Sequence, residues 1–115
     1  MESIMTESTQ SARIVLTTTA NPEEASRLGR ALVDERLDAC ATLIPGVQSI
    51  YRWQDQVESA AETLLLIKTG ADQLAALEGR LHQLHSYQTP EFLVLGVEAA
   101  SQPYLDWLLG SLRRN

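Results

Sequence analysis

The side chains able to do chemistry are few, and they fall into three groups. His85 follows a leucine-rich segment, with His82 three positions earlier on nearly the same side. An imidazole there either meets carbonyls left free at a helix end or ligates a soft or borderline metal ion. The second group is Tyr51, Arg52, Trp53, Glu58, Glu62, Lys68, Tyr87 and Glu91. Such a mixture lines an intersubunit cleft, or its aromatics anchor an oligomer interface while its charges pair. The third is Cys40, which has neither a CxxC partner nor a neighbouring histidine and reads as a small, buried apolar residue. Glu62 and Lys68 would serve as an acid–base pair only in a cleft that shifts their pKa values. There is no glycine-rich phosphate loop, HExxH, CxxC or GxSxG motif, so no catalysis is expected.

The elements that must position these groups centre on Ala39 to Thr69. Two runs rich in β-branched and aromatic residues flank Gln54, Asp55 and Gln56, which predicts a hairpin. Arms of this length reach roughly 45 Å, far beyond a domain whose radius of gyration is near 13 Å, so the ribbon needs a partner, expected to be a second copy of the chain. Pro45 and Gly46 force a bend in the first arm. Upstream, Arg13 to Thr19 suits a buried strand, and Asn21, Pro22 and Glu24 begin a helix that runs to about Arg36, with Ala25, Leu28, Gly29, Leu32 and Val33 inward. Downstream, a second helix opens at Gly70 and Asp72 with Leu74, Leu77, Leu81 and Leu84 on its inner face. Phe92 to Val97 is a strand, and Ser101 and Pro103 start a third helix that ends in the basic Arg113 and Arg114. The order β-α-β-β-α-β plus a terminal helix predicts an α+β, ferredoxin-like split βαβ fold.

Composition narrows the function classes. A chain of 115 residues with 44% hydrophobic content suits one domain, taken as residues 13–115 after a disordered leader, 1–12. A net charge of −6 and a pI near 4.8 oppose nucleic-acid binding, which needs a positive face. No run approaches the ~20 apolar residues of a membrane span, and the N-terminus lacks the features of a signal peptide, so a cytoplasmic location is expected.

The strings RLDACATLIPGVQSIYRWQDQVE, ETLLLIKT, LHQLHSYQTPEFLVL and YLDWL together resemble the CutA divalent-cation tolerance family in order and spacing. The resemblance implies a homotrimer similar in architecture to PII signalling proteins, with hairpins pairing between subunits; a membrane partner is not expected, for want of an apolar run long enough to span one. It also implies a link to tolerance of copper and other divalent cations, with metal binding at His85. Some members have a cysteine at the end of the first strand and adjacent histidines before the QTPE segment. Here Thr17, Thr18 and Thr19 end the strand, and His85 lies between Leu84 and Ser86. The alternative reading is a PII-like signalling or adaptor trimer that binds a small anion or a protein in the intersubunit cleft.

Overall fold

The computed structural model describes residues 11–113. Its elements are β1 (Ala12–Thr19), α1 (Pro22–Asp34), β2 (Cys40–Trp53), β3 (Gln56–Gly70), a 3-10 turn (Ala71–Gln73), α2 (Leu74–Leu84), β4 (Leu93–Gly96) and α3 (Gln102–Gly110). The strands form one antiparallel sheet in the order β2-β3-β1-β4, which is the expected ferredoxin-like α+β topology. Of the expected leader, residues 1–10 lie outside the described region, while Ala12 is fully buried and begins β1.

Alternation along the strands makes the two faces of the sheet. Val15, Leu65 and Ile67 point to one side, where Leu28 and Leu32 of α1 and Leu77 and Leu81 of α2 complete the main core. Gly29 lets α1 approach β2, because a β-carbon there would stand 3.3 Å from that of Ala41. α3 packs as a separate small cluster in which Leu108 and Leu112 close over Ala39. On the other side Ile44, Leu93 and Leu95 are exposed, and Ile14, Leu16, Leu64 and Leu66 are only partly covered. Leu64 to Ile67, apolar on both faces, is therefore covered on one side only within one chain.

Several boundaries differ from the sequence reading for local reasons. α1 begins as anticipated, with the Asn21 side chain accepting from the Glu24 amide at 2.8 Å. It ends at Asp34 and not near Arg36, because Arg36 takes a left-handed φ of 60° that no helix continues. Val33, expected inward, is exposed. The hairpin turn is two residues, Gln54 (φ 50°) and Asp55 (φ 65°), and Gln56 already belongs to β3. The bend falls where Pro45 and Gly46 demand it, as a bulge between Ile44 and Val47 with Gly46 at φ 74°. β4 covers Leu93–Gly96 only, shorter than the apolar run from Phe92 to Val97.

β1 pairs with β3 only as far as Thr63, so residues 47–62 project beyond the helix-backed sheet as a two-stranded ribbon. The chain consequently measures 51 × 25 × 22 Å, with a radius of gyration of 15.2 Å.

Candidate functional site

The segment after α2 turns over the end of β1 and carries His85, Tyr87 and Glu91 toward β3. His85 caps the helix and is buried. Its Nε2 donates to the Thr18 carbonyl at 2.8 Å, and its Nδ1 accepts from the Tyr87 amide at 3.0 Å. Those two bonds together require the proton on Nε2 and leave no lone pair for a metal. The carbonyl it meets belongs to β1, not to the helix end, so the imidazole occupies neither of the roles expected from the sequence. β4 pairs with β1 only opposite Arg13–Leu16, so the ring takes an edge carbonyl that this short strand does not reach.

Glu24, buried on α1, braces the same turn. It accepts from the Ser86 amide at 2.8 Å and the Ser86 hydroxyl at 2.9 Å. Burial alone would raise its carboxyl, but these bonds hold it below the ordinary carboxylate range. Glu24 carries no signal as a site residue in the sequence, since Ser86 lies 62 residues away.

The acidic part of the site lies at the root of the ribbon. The Tyr87 hydroxyl donates to Glu62 Oε2 at 2.7 Å. Burial, then the Glu62 bond and charge, push the Tyr87 phenol well above its usual range, with smaller contributions from Glu24 and Tyr51. Burial and the Glu62 charge likewise raise the Glu91 carboxyl. Glu62, Tyr87 and Glu91 thus form one electrostatic group, which Tyr51 reaches only through its smaller influence on Tyr87.

The remaining expected cleft residues lie elsewhere. Arg52, Trp53 and Glu58 are exposed near the ribbon tip, where Tyr51 pairs with Glu58. Lys68 is six residues along β3 from Glu62, roughly 20 Å away, and its ammonium contacts Thr42 Oγ1 and, at 3.7 Å, Cys40 Sγ. Glu62 and Lys68 therefore cannot act as an acid–base pair within one chain. Cys40 is half-buried, not fully buried as expected, and His82 is exposed.

Among the described residues no three histidine, cysteine, aspartate or glutamate side chains converge as a metal site. Thr19, at the end of β1, donates its hydroxyl to the Asn21 carbonyl at 2.8 Å. With both His85 nitrogens engaged, the donors left are carboxylates and a phenol, which suit hard cations better than copper.

A family model described as CutA1 divalent ion tolerance protein matches residues 13–111. The chain belongs to the CutA1 family. The divalent-cation tolerance protein CutA of Thermus thermophilus is 43% identical over 95 residues, covering 83% of this chain and 92% of that protein. The Pectobacterium atrosepticum protein of the same name is 42% identical over 102 residues, 89% of this chain and 93% of its own. The crystal structure of CutA1 from Oryza sativa superposes with a TM-score of 0.90 at 35% identity, covering 94% of this chain and 99% of that one. The CutA1 assignment agrees with the resemblance seen in the sequence.

Proposed function

We propose that this CutA1 chain is a cytoplasmic homotrimer that contributes to divalent-cation tolerance by binding a cation, without catalysis. The carrying observation is the Glu62–Tyr87–Glu91 group, in which Glu91 feels the charge of Glu62 and no cation among the described residues offsets it. Two like-charged carboxylates repel, and a divalent cation between them removes that cost. One chain supplies too few donors for a full shell, so ligands from a neighbouring subunit or water complete it.

Trimer assembly is supported by the open sheet face and by the ribbon, where Ile50, Val57 and Trp53 are each more than 60% exposed. The pairing of ribbons between subunits satisfies the free edges of β2 and β4. In this reading the bound ion is a hard or borderline cation at Glu62 and Glu91, and His85, engaged with Thr18 and Tyr87, does not ligate it. The small-anion alternative has less support, since the cleft residues grouped around Tyr87 are acidic and Lys68 lies apart from them.

Isothermal titration of the protein with Mn(II) and Cu(II) tests this. Glu91→Gln is expected to weaken Mn(II) binding about tenfold, and Cu(II) binding by a similar factor, with Cu(II) exceeding Mn(II) only by the margin the Irving–Williams order gives any oxygen-donor site. Equal Mn(II) affinity in wild type and Glu91→Gln would overturn the assignment.

A further inference from the structure

A second site lies between the α1–β2 connection and α3. There a cavity of about 400 Å³ is lined by Val33, Asp34, Arg36, Asp38, Trp107 and Ser111. That volume is within the range of small-molecule sites. Asp38 is only 1% exposed, and neither of its carboxylate oxygens has a hydrogen-bond partner. A buried, unpaired carboxylate is expensive and is ordinarily found only with a counter-charge.

The cations nearby do not pair with it directly. Arg36 extends its Nη1 toward the Ser111 carbonyl, at 3.5 Å, and Lys68, whose charge offsets only part of the burial cost, points its ammonium at Thr42 and Cys40. Asp34 adds a further acidic side chain to the wall, and from α3 come Trp107, whose indole is half-exposed, and the uncharged Ser111. An indole face and a carboxylate together suit an organic ammonium, which is attracted by the ring and accepted by the oxygens. They do not suit a metal ion, which needs several converging ligands that the described residues lack.

We propose that this cavity binds a small primary alkylammonium ion, its nitrogen donating to Asp38 and its alkyl chain lying against Val33 and Trp107. Arg36 and Trp107 are exposed rim residues, and binding requires their side chains to move off the carboxylate, whose oxygens are fully covered. Burial, opposed in part by Lys68, pushes the Asp38 carboxyl up to about 7. Because the ammonium pairs with the ionised form, each binding event to a protonated Asp38 releases that proton to solvent. Affinity therefore rises with pH between about 6 and 8, by about tenfold.

The probe is n-butylammonium chloride, titrated calorimetrically into the full chain and followed by the fluorescence of Trp107 in a Trp53→Phe background. Saturable binding is expected, about tenfold tighter at pH 8 than at pH 6 and weakened about tenfold or more by Asp38→Asn. Trp107→Leu, at an exposed position that does not threaten the fold, is expected to weaken it several-fold. Glu91→Gln is expected to leave it unchanged, which separates this site from the proposed cation site. The absence of saturation up to about 100 mM would overturn the proposal. So would affinity that ignores pH, or affinity equal in wild type and Trp107→Leu.

Discussion

At position 85 an imidazole performs the task of a backbone amide. Its Nε2–H caps the Thr18 carbonyl while its other nitrogen fixes Tyr87, so both contacts vanish together on truncation. His85→Ala is expected to destabilise the protein by about 2–3 kcal/mol in denaturant titrations while leaving Mn(II) affinity within about twofold. A loss of Mn(II) binding in a folded His85→Ala protein would return the ring to the role of ligand. Asp38 gives a second prediction at this scale. Its carboxyl is raised from 3.8 to about 7 by burial, against the pull of Lys68, so the folded state holds the proton more tightly than the unfolded chain does. The neutral acid is therefore tolerated below about pH 4, and stability falls as pH rises through about 7, by up to roughly 4 kcal/mol. Asp34, Arg36 and Lys68 are the other charged groups around it, and the difference between wild type and Asp38→Asn isolates its share. Unfolding midpoints of the two proteins that run parallel from pH 4 to 8 would refute this. The sequence marked His85 as important but not why, because its partner lies 67 residues away. Nothing local to Asp38 announces that it will be buried.

At the scale of elements, the features set by neighbours in sequence were legible and those set by tertiary partners were not. The start of α1 depends on Asn21, Pro22 and Glu24 alone, and the β-bulge on Pro45 and Gly46, so both were readable. The end of α1 depends on Arg36 adopting a left-handed conformation, and β4 ends early although its apolar run continues. Neither has a compositional signal. The hairpin turn places two non-glycine residues, Gln54 and Asp55, at positive φ. Replacing the pair by Asn-Gly is expected to raise stability by about 1 kcal/mol, measured by chemical denaturation. Gly46→Ala should do the opposite, costing about 1–2 kcal/mol, because its φ of 74° is strained for any residue with a β-carbon.

At the scale of the molecule, the fold could be inferred from element order, and the projecting ribbon from the length of the hairpin arms. The division of the cleft residues could not, because residues on one strand face can be far apart along it. Light scattering is expected to give three times the 12.7 kDa chain mass, and Trp53→Ser combined with Ile50→Ser is expected to shift it toward one chain. A single-chain mass for wild type at micromolar concentration would remove the trimer. The brevity of β4 has a consequence of its own. Its first residue, Leu93, stands opposite Leu16, so the backbone just upstream is released from the ladder and free to arch across the rim of the sheet. Had pairing continued toward Thr19, that stretch would be a straight edge and Tyr87 could not bend back to Glu62. A truncated strand is thus the geometric precondition for bringing Tyr87 to Glu62 at that corner, and a chimera carrying a longer fourth strand would trade that contact for two or three extra rungs.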